Sequence, residues 1–115
     1  MREVKRRNMT IVIHESFLVK PEKQAEFTKL MHRMLKYMKD NPKQFKELKW
    51  TKSFTQMFGG TYGTHITLME FNNLTDMEKL DKRTMKDQTL IKLNNEMMPL
   101  IEPTTYKSNV WTTLE

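Results

Sequence analysis

The first strand-like run of the chain restricts the fold most, because its β-branched and aromatic residues are apolar at both alternating sets of positions. Ile11, Ile13, Phe17 and Val19 belong to one set, and Val12 and Leu18 belong to the other. Successive side chains of a strand point to opposite faces of its sheet, and an antiparallel sheet usually has one polar face. A sheet that contains this strand therefore needs a cover on both faces.

Helical periodicity replaces the strand pattern after Lys20. Pro21 suits the first position of a helix, and apolar residues then recur three or four positions apart. These residues are Phe27, Leu30, Met31, Met34, Leu35 and Met38. The spacing predicts one amphipathic helix that ends near Asp40 and packs its stripe of methionine and leucine against the core.

Two alternating segments on either side of a glycine-rich turn predict a hairpin. Leu48, Trp50, Phe54 and Phe58 share one parity, and residues 64–71 alternate in the same way. Residues 59–63 contain three glycines, which supply the positive φ that a tight turn needs. Because this glycine-rich segment joins two strands and does not begin a helix, the pattern favours a turn over a phosphate-binding loop.

A second helical segment and a closing strand complete the chain. Thr75 and Glu78 stand at capping-box spacing, and apolar positions continue to Met97 with a break near residues 82–84. Residues 108–114 alternate and predict a strand.

The element order β-α-β-β-α-β predicts a ferredoxin-like α+β fold, in which two helices cover one face of a four-stranded antiparallel sheet and the first and third strands are neighbours. We expect the other face to present Ile11, Ile13 and Phe17 with Ile66 and Leu68. Burial of such side chains contributes about 1.5–3 kcal/mol each. A second copy of the chain is the simplest cover, so we expect a homodimer that forms an α/β barrel, or a larger assembly.

Length and charge indicate one domain and one basic segment. The chain has 115 residues and a net charge of +6. We expect a single domain over residues 9–115, preceded by a flexible basic segment at residues 1–8 that contains Arg2, Lys5, Arg6 and Arg7. Such a segment is typical either of a solvated terminus or of a nucleic-acid contact, and nucleic acid is disfavoured as a partner because no nucleic-acid-binding motif accompanies it.

Composition also bears on the compartment. The chain contains no cysteine, which excludes disulfides and thiolate chemistry, and its apolar runs are only a few residues long. We therefore expect a soluble protein of the reducing cytoplasm that does not enter a membrane.

Several segments together resemble the dimeric α/β-barrel superfamily, which includes antibiotic-biosynthesis monooxygenases and haem-degrading monooxygenases. They are the strand at residues 9–19, the Val-Lys-Pro sequence at residues 19–21, the Phe-Gly-Gly-Thr-Tyr-Gly sequence at residues 58–63 and the Leu-Met-Glu-Phe-Asn sequence at residues 68–72. The resemblance covers nearly the whole chain after residue 8. Since this superfamily contains many unrelated activities, it implies a fold more specifically than a reaction.

The resemblance implies a pocket between sheet and helices, with a polar residue from the middle of the first strand and an aromatic residue near the end of the third. His14 and Phe71 correspond to these positions. If His14 pairs with Thr67, it lies near His65, and the two imidazoles form a candidate catalytic acid–base pair. The candidate substrate contacts are Phe71, Thr67, Ser16 and Trp50.

Other interpretations of the histidines stay open. Each is also consistent with a polar core residue that a neighbouring hydroxyl satisfies, and two histidines without a third ligand do not make a metal site. The haem-degrading members have a haem-ligating histidine in the helix after the third strand, whereas residues 74–86 contain none. We therefore expect no metal and no cofactor.

Two functional hypotheses follow. The first is a cofactor-independent, monooxygenase-like enzyme that deprotonates a small aromatic or quinone-like substrate, so that the substrate itself reduces oxygen. The alternative is a non-catalytic protein of the same fold that binds a small hydrophobic ligand or serves in an oligomeric assembly or stress response.

Overall fold

The computed structural model describes residues 10–114 and has the predicted order of strands and helices. The elements are β1 (Ile11–Val19), α1 (Gln24–Asp40), β2 (Leu48–Thr55), β3 (Thr64–Phe71), α2 (Leu74–Thr84), α3 (Gln88–Met97) and β4 (Ile101–Thr112). Short 3-10 turns precede α1, β2 and β4. The basic segment at residues 1–8 lies outside the described residues, so the division of the chain at residue 9 stays a prediction.

The four strands form one antiparallel sheet in the order β2-β3-β1-β4. The predicted adjacency of the first and third strands is confirmed, and so is the ferredoxin-like α+β fold. The hairpin turn between β2 and β3 also agrees with the prediction, since Gly59, Gly60 and Gly63 all have positive φ.

The pairing of β1 with β3 differs from the predicted pairing by one residue. His14 lies opposite Leu68, and Glu15 lies opposite Thr67. Because the side-chain period of a strand is two, this difference reverses the face of every side chain in one strand relative to the other. The prediction that His14 shares a face with His65 and Thr67 is therefore wrong.

The core lies between the sheet and the helices, and β1 contributes the residues that had been expected on the opposite face. Ile13, Phe17 and Val19 are buried there, and Ile11 packs against the same cluster. The prediction that Ile11, Ile13 and Phe17 lie on the uncovered face is wrong, because the apolar set with the larger side chains is the one that packs under the helices.

The predicted stripe of α1 faces this core. Phe27 and Leu30 are buried, and Met31, Met34 and Met38 are half-buried against them. The ring of Phe27 meets Phe17 of β1 edge-on at 5.7 Å between centroids. Helix α1 is therefore held by its apolar stripe, since apolar burial contributes more than helix propensity to a surface helix.

The second helical segment is divided into α2 and α3 by residues 85–87, slightly later than predicted. Asn73, and not Thr75, caps α2, because the Asn73 side chain accepts a hydrogen bond from the backbone N–H of Asp76 at 2.8 Å. Asp87 caps α3 through the backbone N–H groups of Thr89 and Leu90. Each cap satisfies backbone donors that a helix leaves unpaired.

Strand β4 begins at Ile101, earlier than the predicted residue 108. Its pairing with β1 contains an irregularity opposite Ser16 and Leu18. Among residues 10–114, no helix is both long and apolar enough to span a membrane.

The sheet face turned away from the helices, called here the open face, is rich in apolar side chains. Leu68 lies at its centre on β3 with Ile66 beside it, as predicted, and Val12 and Leu18 extend it along β1. Trp50, Phe54 and Trp111, which lie on the outer strands, remain exposed.

Candidate ligand cavities and their polar residues

Several cavities lie on the helix side of the sheet, and two of them are lined by an ionisable side chain of β1 or β3. The larger, called here the central cavity, has a volume of about 690 Å³ and lies under all three helices. Five methionines line it: Met34, Met38, Met69, Met77 and Met85. Its floor includes Ile13, Glu15 and Phe71. Because methionine is unbranched and polarizable, such a lining adapts to ligands of irregular shape.

Glu15 is the ionisable side chain on the floor of this cavity. It lies in the middle of β1, opposite Thr67 of β3 and Ser108 of β4. The Tyr106 hydroxyl donates a hydrogen bond of 2.6 Å to Glu15 Oε2. Partial burial and this hydrogen bond raise the pKa of Tyr106 to about 12. The phenol therefore stays protonated at neutral pH and holds the carboxylate in place.

The second cavity, called here the aromatic cavity, has a volume of about 580 Å³ and lies between α1, β2 and the loop at residues 56–62. His65 of β3 lines it and is only 5% exposed. Its ring stacks on Phe17 at 5.1 Å and meets Phe27 edge-on at 4.8 Å. Burial lowers the pKa of His65 to about 4, so the imidazole is neutral at neutral pH.

Three hydrogen-bonded side chains extend from β3 to β2 beside the His65 ring, on the same face of the sheet. His65 Nε2 and Thr67 Oγ1 are hydrogen bonded at 3.0 Å, and Thr67 Oγ1 lies 3.3 Å from Ser53 Oγ. These bonds satisfy the buried imidazole and fix its orientation. For His65 this agrees with the interpretation of a polar core residue that is satisfied by a neighbouring hydroxyl.

The predicted site residues divide between the two faces of the sheet. His65, Thr67 and Phe71 lie on the helix-facing side, whereas the other three predicted residues lie on the open face: His14, Ser16 and Trp50. His14 and His65 thus cannot form an acid–base pair within one chain, because the sheet separates their side chains. Ser16 and Trp50 likewise lie away from both cavities.

On the open face, His14 and Trp50 have their own surroundings. The His14 ring lies 4.7 Å from the ring of Trp111, and its Nδ1 atom is buried without a hydrogen-bond partner among the described residues. The indole N–H of Trp50 donates to Glu70 at 2.6 Å, and the Thr10 hydroxyl donates to the other carboxylate oxygen. Glu70 therefore lies on the open face.

Sequence reasoning missed Glu15, although a signal was present. Glu15 interrupts the parity of Ile11, Ile13, Phe17 and Val19, which is otherwise wholly apolar. A carboxylate within the core-facing set of a strand is costly to bury, so it indicates either a satisfied ion or a site open to a ligand.

The described residues contain no cluster of three or more His, Asp or Glu side chains that could hold a metal ion. The ionisable groups that could contact a ligand are Glu15 and Asp81 in the central cavity and His32 and His65 in the aromatic cavity.

Comparison with known proteins identifies the fold. No protein-family model matches the sequence, and no curated protein matches it significantly. A NIPSNAP family protein from Agrobacterium tumefaciens str. C58 superposes with a TM-score of 0.70 at 19% identity, over 91% of each chain. The chain shares the fold of the NIPSNAP and antibiotic-biosynthesis-monooxygenase-like proteins.

Two further solved structures represent the monooxygenase side of this similarity. SnoaB, a cofactor-independent oxygenase from Streptomyces nogalater, superposes with a TM-score of 0.65 at 9% identity, over 92% of this chain and 94% of that one. A proposed antibiotic biosynthesis monooxygenase from Deinococcus radiodurans gives a TM-score of 0.67 at 11% identity, over 91% and 93%. At these identities the comparison shows the fold alone.

Proposed function

We propose that this chain binds a small, largely apolar molecule in the central cavity, and that Glu15 accepts a hydrogen bond or a proton from it. The observation that carries this proposal is the position of one ionisable carboxylate, from the middle of β1, on the floor of a methionine-lined cavity. A phenol or hydroquinone matches this arrangement, since it pairs an apolar ring with a hydroxyl that donates. The cavity volume of about 690 Å³ falls within the range of small-molecule sites.

A monooxygenase-like reaction on such a small aromatic or quinone-like substrate is the activity that fits best. Transfer of the phenolic proton to Glu15 would leave an electron-rich ring that reduces dioxygen without a cofactor. One oxygen atom would enter the ring, which is oxidised to a quinone, and the other would leave as water, while the helices limit access of solvent to the ring. The fold shared with SnoaB supports this proposal. The alternative, ligand binding without turnover, requires the same contact with Glu15 and differs only in oxygen use.

His65 is less suited than Glu15 to accept the proton. Its Nε2 atom is already hydrogen bonded to Thr67, and burial holds its pKa at about 4 because charging the ring in that environment is costly. The carboxyl oxygens of Glu15, by contrast, can accept a hydrogen bond or a proton without creating a positive charge in the cavity.

The proposal is tested with 1-naphthol and protein labelled with ¹³C at the methionine methyl groups. We expect saturable shifts at Met69 and Met77, which line the central cavity. Because a hydrogen bond to a charged group contributes about 1.5–3 kcal/mol, Glu15→Leu should weaken binding by about tenfold or more. Glu22→Leu, which changes an exposed carboxylate before α1, is the matched control.

An oxygen electrode then separates the two activities. Consumption of oxygen that depends on 1-naphthol or a hydroquinone, and that is lost in Glu15→Leu, supports turnover. Binding without oxygen consumption supports the non-catalytic alternative. Equal affinity of wild type and Glu15→Leu for 1-naphthol would contradict the proposed role of Glu15 in binding and in turnover.

We also propose that two copies associate through the open face. Leu68 lies at its centre, Phe54 and Trp111 are about half exposed on the outer strands, and His14 Nδ1 has no hydrogen-bond partner among the described residues. Burial of these side chains at about 1.5–3 kcal/mol each would support a stable two-fold dimer.

Sedimentation velocity tests this association. Leu68→Lys should convert the dimer into a particle of 13.9 kDa. Leu74→Lys alters an exposed leucine on α2 and should leave the dimer intact. A monomeric wild-type chain at micromolar concentration would contradict the proposal.

A further inference from the structure

The aromatic cavity is a second site, separate from the central cavity. The two cavities have no lining residue in common. The aromatic cavity opens beside the edge strand β2, and its volume of about 580 Å³ suits a molecule of two or three fused rings.

The two cavities differ in the charged residues that line them. Among the described residues that line the aromatic cavity there is no Asp, Glu, Lys or Arg, although such residues make up 30% of the chain. The central cavity, in contrast, includes Glu15 and Asp81. A charged ligand would lose hydration in the aromatic cavity without gaining an ionic partner, so the lining selects an uncharged one.

Aromatic side chains form much of the wall. Phe27 lies at the inner end, and Phe58 and Tyr62 lie toward the outside. Ring faces and edges of this kind favour a planar aromatic ligand, since each aromatic pair contributes about 0.5–1.5 kcal/mol beyond the apolar area that it buries.

The loop at residues 56–62 leaves its large apolar side chains in solvent. Met57 is 76% exposed, Phe58 is 84% exposed and Tyr62 is 71% exposed, and all three line the cavity. Scattered exposed apolar residues are ordinary, but three on one short loop at a cavity mouth indicate a surface that becomes covered. Gly59 and Gly60, both at positive φ, give this loop a backbone that other residues rarely adopt.

Polar side chains along the sheet wall of the cavity suit a ligand that carries an uncharged hydrogen-bond acceptor. His65 is 95% enclosed, and the hydroxyls of Ser53 and Thr55 lie on the same face of the neighbouring strand. Hydroxyl groups can donate to a carbonyl oxygen without introducing charge.

We propose that the aromatic cavity binds an uncharged, planar aromatic carbonyl compound, which stacks against Phe58 and Tyr62 while its carbonyl group faces the Ser53 and Thr55 hydroxyls. This site does not depend on the function proposed for the central cavity, because it involves different residues and an uncharged group in place of a carboxylate.

Menadione, an uncharged naphthoquinone, tests the site, and the chain has no cysteine that this quinone could alkylate. With ¹³C-methyl-methionine protein we expect saturable shifts at Met31 and Met57, which line the aromatic cavity. The double variant Phe58→Ser/Tyr62→Ser should raise the Kd by about tenfold, as expected for loss of two aromatic contacts. Both positions are exposed, so the variant should fold.

Three controls make the result specific. Leu74→Ser removes a half-exposed leucine elsewhere and should leave the Kd unchanged. Glu15→Leu should also leave it unchanged, which separates this site from the central cavity. The anion 1,4-naphthoquinone-2-sulfonate should bind at least tenfold more weakly than menadione.

The proposal is overturned if menadione shifts Met69 and Met77 instead, if the sulfonate binds as tightly, or if no saturable shift occurs up to the solubility limit. It is also overturned if Phe58→Ser/Tyr62→Ser changes the sedimentation coefficient while the Kd for menadione stays the same. In that case the loop serves self-association.

Discussion

The buried imidazole of His65 should make the stability of the protein depend on pH in a specific interval. His65 is 5% exposed, and burial lowers its pKa from 6.5 to about 4. In the unfolded chain the ring is hydrated and takes up a proton near pH 6.5. Unfolding therefore takes up one proton between about pH 6.5 and pH 4, and the free energy of unfolding decreases as the pH falls through that interval.

The size of the effect follows from the shift. A shift from 6.5 to about 4 corresponds to about 3 kcal/mol when the pH lies below both values. At pH 5 the loss relative to pH 7 is about 2 kcal/mol, because the unfolded ring is then largely protonated and the folded ring is not. Below pH 4 both states bind the proton and His65 adds no further loss.

Urea unfolding of wild type and His65→Gln at pH 7 and pH 5 measures the contribution of His65 to the pH dependence of the free energy of unfolding. The loss of free energy between the two pH values should be about 2 kcal/mol larger in wild type than in His65→Gln. His32→Gln, at an exposed position on α1, should behave like wild type. Each protein is compared with itself at the two pH values, which removes the effect of the substitution on stability at a fixed pH. The comparison of these differences between proteins then removes the contribution of the other titrating groups.

An NMR titration of the His65 ring gives an independent check that does not require a folded variant. Its resonances should move near pH 4. A midpoint near 6.5, or an equal pH dependence in wild type and His65→Gln, would refute the argument that burial without a compensating charge controls this group.

Three further predictions concern stability and are checked by urea unfolding. Arg83→Met should lower the free energy of unfolding more than Arg33→Met does, because both carboxylate oxygens of Glu47 accept from Arg83 at 2.7 Å and the Glu47 side chain is 7% exposed, whereas Arg33 pairs with the more exposed Glu96; equal losses would contradict this. Gly63→Ala should cost about 2 kcal/mol, since a Cβ there would lie 2.7 Å from Gln24 Nε2 at a φ of +90°, and Gly59→Ala, with its nearest atom at 3.9 Å, should cost less. Asp87→Ala should cost about 3 kcal/mol, as it removes the cap of α3 and the acceptor for two side chains, whereas Asp87→Asn should retain part of the cap.

The elements that local pattern predicts well are those with one dominant period. The stripe from Phe27 to Met38 predicts α1 because its spacing fits only a helix, and the glycines of residues 59–63 predict the hairpin because the backbone there needs positive φ. The adjacency of β1 and β3 follows from the order of elements in a split βαβ unit.

The details that pattern did not predict are those that depend on register. Alternation assigns residues of one strand to two faces but does not say which face meets the helices. Trp50 and Leu48 share a parity in the sequence, yet an irregularity in the pairing of β2 places Leu48 opposite Phe71 and Trp50 opposite Glu70. The prediction that His14 lies in the pocket failed for a related reason, because the pairing of β1 with β3 differs from the predicted pairing by one residue.

The sequence by itself determined the strand and helix order, the α1 stripe and the presence of apolar residues at both alternating sets of positions of the first strand. Tertiary structure alone decided that Glu15 and not His14 lies under the helices, that His65 is enclosed by Phe17 and Phe27, and that two separate cavities form. The reason is physical: periodicity is a property of neighbouring residues, whereas the choice of face is made by the packing of side chains far apart in the chain.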